Sequence, residues 1–122
     1  MDIIEFLKAR YDEDEQAARA ATPGHWGPSG HSVLTSDDIE IIDASRSDAV
    51  HIARHDPARV LREIEAHRSI VAFYEALNDH PMRSDAAFHW QRLAMKQTVR
   101  KLARIYADHP DFDPEWIPTP RT

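Results

Sequence analysis

A mainly α-helical fold is predicted from this chain: an N-terminal helix, a small β-hairpin, a short helix, then two long antiparallel helices and an extended C-terminal tail. Three observations predict it. Apolar residues recur at three- and four-residue spacing over three long stretches, the period of one helix face. Only 3 of the 122 residues are glycine, and the 8 prolines fall in the joints between those stretches and in the tail. The segment Ser47–Asn78 opens a long helix at Pro57, where proline suits a first turn. That helix carries Val60, Leu61, Ile64, Ile70, Val71, Tyr74 and Leu77. The rest of the chain is expected to pack on it, as one domain over 1–122 with a proline-rich tail at 110–122.

The first helix is read over Asp2–Ala21. Asp2 caps it with Glu5 three residues on, and Ile3, Ile4, Leu7, Tyr11, Ala18 and Ala21 fall near one side. The run Asp12–Glu15 is a solvated acidic face, or a partner for a basic surface; four consecutive helical carboxylates splay around the axis and do not converge on a cation. Thr22-Pro23-Gly24 ends the helix. Trp26 follows in a glycine- and proline-rich loop and is read as a lid on the core. Two short strands, His31–Thr35 and Ile39–Ala44, flank the turn residues Ser36-Asp37-Asp38. Such a hairpin is marginal alone and must lie on helices or on a partner.

Ser45 or Ser47 caps the next helix, Asp48–His55. Asp56-Pro57 breaks it, because the residue before proline is driven out of the helical region. The long helix then runs to about Asn78 and stops at His80-Pro81. Ser84 caps a last helix over Asp85–Ala107, with Phe88, Met95, Val99, Leu102 and Tyr106 on its apolar line. In the tail, Phe112 and Trp116 pin the chain back, and Thr119 onward is loose. The expected core contains Leu7, Ile52, Leu61, Ile64, Val71, Leu102 and Trp90.

Composition excludes several functions. The net charge of −6 disfavours attraction of the whole molecule to nucleic acid. Without cysteine there is no disulfide, thiolate zinc site or cysteine nucleophile. No apolar run approaches the roughly 18 residues of a membrane span. The acidic start, lacking a basic leader region, is not expected to be a signal peptide, and a cytoplasmic location is expected.

Three constellations could carry chemistry. Asp48, His51 and His55 at i, i+3, i+7 share one helix face, and two imidazoles with a carboxylate are a ligand set for zinc or non-haem iron. The local pattern is HIARH, without the glutamate of HExxH. Its plainer role is capping at the Pro57 kink. His67, on the side of Ile64, Val71 and Tyr74, is read as a buried neutral core histidine, with a titrating switch as the alternative. Arg92, Lys96, Arg100 and Arg104 form a stripe along the last helix, with Lys101 beside it. It is either a solvated face paired with acids or an anion surface. No GxSxG elbow or glycine-rich phosphate loop is present, so no catalytic residue is assigned.

Three blocks carry a resemblance: DIIEFLKARYDEDEQAARAATPG-x-W, HIARHDPARVLREIEAHRSIV and YADHPDFDPEW. Together, in this order and over most of the chain, they resemble a family of small actinobacterial proteins from streptomycetes and their phages (domain of unknown function family 6221). After Thr-Pro-Gly the family usually has Pro-Trp, and this chain has His25-Trp26. Many members carry cysteines before the last helix, so any metal role for those is absent or altered here. The Thr-Pro-Gly-x-Trp loop with the following hairpin is also similar to small phage-encoded proteins. The resemblance implies a bacterial, cytoplasmic setting and a mobile-element link; it implies no reaction.

The leading expectation is a non-enzymatic module that binds another protein, as a helix-mediated homodimer, without cofactor or membrane. It rests on a surplus of apolar and aromatic residues on the two long helices. Two alternatives stay open: a small metal-dependent enzyme using Asp48, His51 and His55 with zinc or iron, and an anion or nucleic-acid binder using Arg92, Lys96, Arg100 and Arg104.

Overall fold

A computed structural model describes residues 1–117. Its order is α1 (Ile3–Ala20), β1 (Gly27–Ser29), β2 (Ser32–Leu34), β3 (Glu40–Asp43), α2 (Arg46–Arg54), α3 (Pro57–Asp79) and α4 (Ala86–Ala103). Single 3-10 turns follow at Arg104–Tyr106 and Pro114–Trp116. The mainly helical architecture is the expected one. The residues gather into two compact units: Met1–Tyr11 with the chain from Ala66 on, and Asp12–Glu65. The expected loose segment from Thr119 lies outside the described residues.

The discontinuous unit is built on Phe6, which is fully buried. Its ring lies 4.9 Å from Trp116, 5.7 Å from His109 and 6.2 Å from both Tyr106 and Phe112. Phe112 and Trp116 thus pin the end of the chain as expected. The tail is not extended over its described length, however: the Asp113 carboxylate accepts from the Glu115 N–H at 2.9 Å and winds Pro114–Trp116 into a turn. Along α1, the Asp2 cap accepts from the Glu5 N–H at 2.9 Å. Lys8 pairs with Glu75 at 3.0 Å and Tyr11 packs on His67 at 5.9 Å, so the first half of α1 runs antiparallel to the second half of α3. Leu7, Val71, Tyr74, Leu77, Val99 and Ala103 complete the buried set.

Four expectations in this unit are corrected. Trp90 is 67% exposed. Helical residues advance about 100° each, so Trp90 stands about 180° from the buried Val99. The inward line of α4 is Phe88, Arg92, Met95, Val99 and Ala103. His67 is half-buried against Tyr11, not enclosed. The α4 cap is also one residue later than expected: the Asp85 carboxylate, not Ser84, accepts from the Ala87 N–H at 2.9 Å. The α-helix ends at Ala103, where a 3-10 turn replaces the last expected turn.

The contiguous unit is a three-stranded antiparallel sheet in the order β1-β2-β3, with α2 packed on β1 and β2. The strand β1 falls where a loop was expected. Its residues Gly27 and Pro28 have poor strand propensity, and proline is tolerated there because β1 is an edge. The β1–β2 connection is a two-residue hairpin with Gly30 at φ +61, a conformation that favours glycine. In the β2–β3 turn, Asp38 takes φ 60, and the Asp38 N–H donates to the Thr35 carbonyl at 3.0 Å. Val33, Ala49 and Ala53 form the buried cluster, and Trp26 and Ile52 lie against it. Trp26 is therefore the lid that was expected, and its indole N–H donates to the Thr22 carbonyl at 3.0 Å.

Ser45 caps α2, accepting from the Asp48 N–H at 3.2 Å, so the helix starts at Arg46, two residues before the expected Asp48. Asp56 joins the loop to α3. One carboxylate oxygen accepts from the Arg59 N–H at 2.8 Å, and the other from the Trp26 N–H at 3.1 Å. The His25 Nδ1 lies 3.4 Å away. Burial pushes the Asp56 carboxyl up, but these two N–H donors and the neighbouring imidazole outweigh it and hold its pKa below the usual carboxylate value.

Candidate anion-binding groove

The α3–α4 connection sets up a groove within the discontinuous unit. His80 and Phe88 stack across it at 4.4 Å, and the Met82 N–H donates to His80 Nδ1 at 3.0 Å. From there α4 returns along α3. A groove of about 170 Å³ opens between them, lined by Tyr74, Asn78, His89, Arg92, Leu93 and Lys96.

Arg92 is the fixed point. Its Nε–H donates to Asn78 Oδ1 at 3.1 Å, and a terminal nitrogen donates to the Arg83 carbonyl at 3.4 Å. Both acceptors are neutral and the side chain is half-buried. The guanidinium is thus positioned by two bonds without an anionic partner among the described residues. Lys96 lies one turn on, and among the described residues neither it nor Arg92, Arg100, Lys101 or Arg104 forms an ion pair. An oriented guanidinium, an ammonium and an imidazole around one groove fit a carboxylate or phosphoryl oxygen.

The stripe predicted from sequence is only partly assembled. Positions four apart rotate about 40° on a helix. Arg92 and Lys96 line the groove, Arg100 is half-buried beyond it, and Arg104 stands on the exposed outer face in the 3-10 turn that follows. Leu93 and Trp90 share that outer face. Sequence reasoning missed Asn78 and His89, whose roles depend on the helix pairing; the four-residue step from Arg92 to Lys96 was the available signal.

The histidine pair of α2 is assembled differently from the ligand set that was expected. The His51 and His55 rings lie 4.5 Å apart, and His55 Nδ1–H donates to the His51 carbonyl at 2.8 Å. Asp48 does not join them: among the described residues no three His, Cys, Asp or Glu side chains converge to hold a metal. His55 is the C-cap, where the helix has already unwound to ψ 40, so the i, i+3, i+7 face breaks at its last member. A second cavity, about 280 Å³, lies in the contiguous unit between Pro23, Pro57 and Leu61. Its lining is apolar apart from Arg19, so it offers little chemistry. Among the described residues, no helix is long and apolar enough to cross a membrane.

No curated protein and no solved structure matches the chain. A match to a family of unknown function extends over residues 1–118, taking in α1, the sheet, both long helices and the pinned tail. On that coverage the chain belongs to the family of unknown function DUF6221.

Proposed function

We propose that the chain is a non-enzymatic interaction module that docks an acidic segment of another protein on α4, with Arg92 anchoring a carboxylate in the α3–α4 groove. The observation that carries this reading is the half-buried Arg92, oriented by Asn78 and the Arg83 carbonyl without an anionic partner among the described residues. The composition around it supports a protein partner. Trp90 and Leu93 stand exposed on the same helix as Arg92 and Lys96, and exposed tryptophan with arginine is the residue mix of interface hot spots. A symmetric pairing of α4 with its own copy would set these cations against each other, so the partner carries the opposite sign. Nucleic acid meets the same face, but only against a net charge of −6.

The test is fluorescence anisotropy with a labelled peptide rich in glutamate and leucine, repeated with a lysine–leucine peptide and with duplex DNA. The glutamate peptide binds, and binding weakens as salt rises. Arg92→Ala and Trp90→Ala each weaken it about 10- to 30-fold, the loss expected for hot spots of roughly 1.4–2 kcal/mol. Arg92→Lys keeps the charge but cannot make the fork, and it binds at an intermediate level. Equal affinity for the lysine peptide, tighter binding of DNA, or full affinity in Arg92→Ala would each refute the assignment.

A further inference from the structure

The outer edge of the sheet carries a second, independent feature. Among the described residues, strand β3 has a neighbour on one side only. All four of its residues are exposed, and Ile39, Ile41 and Ile42 are 61%, 38% and 40% exposed. Isoleucines along an edge with unpaired backbone groups are what soluble chains usually avoid or block. Here the block is partial. The register slips between Val33 and Leu34, so that Ile41 has no partner on β2, and acidic side chains flank the strand. Asp37, Asp38, Glu40 and Asp43 lie within one short stretch, all exposed. Glu40 is tied back by the Ser32 hydroxyl.

These charges select the occupant. Pairing β3 with a second copy antiparallel about Ile41 and Ile42 sets Glu40 opposite Asp43 twice, and a parallel pairing sets each acid against itself. Like charges directly opposite destabilise a ladder. The geometry points to strand addition at β3 by a short extended segment of another protein that alternates lysine or arginine with β-branched residues. Main-chain bonds to the open side of β3 supply the register, and the cations of the incoming strand sit beside Glu40 and Asp43. The occupant is short, because β3 offers four residues, or roughly 13 Å of ladder at about 3.3 Å each. Its basic character is opposite to that of the segment proposed for α4, so the two surfaces do not compete for one ligand.

The experiment is a titration of the isotopically labelled full chain, followed by amide NMR, with a synthetic peptide alternating lysine and valine. Parallel titrations use its glutamate–valine counterpart and a lysine–valine version with alternate amides N-methylated. Saturable shifts centred on Ile41, Ile42 and Asp43, with slowed exchange at those amides, are expected for the first peptide alone. Asp43→Lys, an exposed position outside the buried cluster, lowers the affinity at least tenfold, as a peptide cation then meets a like charge. Several results overturn the inference. Equal binding of the N-methylated peptide leaves only non-specific charge attraction. Shifts centred on Asp12–Glu15 place the peptide elsewhere. Broadening of β3 with protein concentration, before any peptide is added, assigns the edge to a second copy. Absence of saturable binding removes the site.

Discussion

Replacing Asp56 by alanine tests the joint that holds the contiguous unit together. The carboxylate makes two separate bonds, at 2.8 Å to the Arg59 N–H and 3.1 Å to the Trp26 N–H, and the residue is only 6% exposed. Loss of the cap costs about 1 kcal/mol. Loss of the second bond, to a charged acceptor, costs about 1.5–3 kcal/mol, because the Trp26 N–H then has no partner there. The His25 contact adds nothing to the sum, since that imidazole is largely exposed and screened. The expected destabilisation is therefore about 3 kcal/mol. With a urea slope of about 2 kcal/mol per M, the midpoint falls by about 1.5 M. Asp56→Asn keeps one oxygen for the cap but turns an amide N–H2 toward the Trp26 N–H, so it costs about 1.5–3 kcal/mol. Acid supplies a second readout. The folded-state pKa lies below the unfolded value of about 3.9, so the stabilisation is complete above that pH and is lost as pH falls through the folded value. The gap between native protein and Asp56→Asn should accordingly close in acid. Urea titrations followed by circular dichroism at neutral and acid pH measure both effects. A loss below about 0.5 kcal/mol in Asp56→Ala, or a gap that widens in acid, would show that the carboxylate is not the joint.

Two other substitutions divide the interior from the surface of α1 and α4. Phe6→Ala removes a fully buried ring that meets four aromatic partners, and should cost about 3–5 kcal/mol in the same denaturation assay, with near-ultraviolet dichroism lost at lower urea. Trp90→Ala should leave stability within about 0.5 kcal/mol while reducing peptide binding, a pairing of results that a buried tryptophan could not produce.

Local rules made the helices and their joints legible. Asp2, Ser45 and Pro57 each act through neighbours within a few residues, and capping chemistry found all three. Trp26 was also legible, since a tryptophan among turn residues has only the nearby core to cover. The misses share a cause, which is partnership across the chain. Phe6 stands beside Leu7 and looks unremarkable until the tail returns to it. Asp56 reads as a cap, but its second bond reaches Trp26, 30 residues away. Trp90 reads as inward on hydrophobicity alone, although its helical angle places it opposite Val99. Strand β1 is built from glycine and proline, whose local preference opposes the pairing that β2 imposes. Of the groove, the charge was legible and the orientation was not, because Asn78 belongs to a different helix from Arg92.

The burial of Phe6 has a consequence for how the chain is made. The Arg10 guanidinium of that same cluster bonds a histidine 99 residues further on. At ribosomal rates of about 5–20 residues per second, these aromatic and basic side chains wait roughly 5–20 s for their companions to be synthesised. The contiguous stretch Asp12–Glu65 has no such delay. Translation thus imposes an order of assembly: the strands and their short helix have all their partners while Phe6 and Arg10, although made earlier, still await theirs.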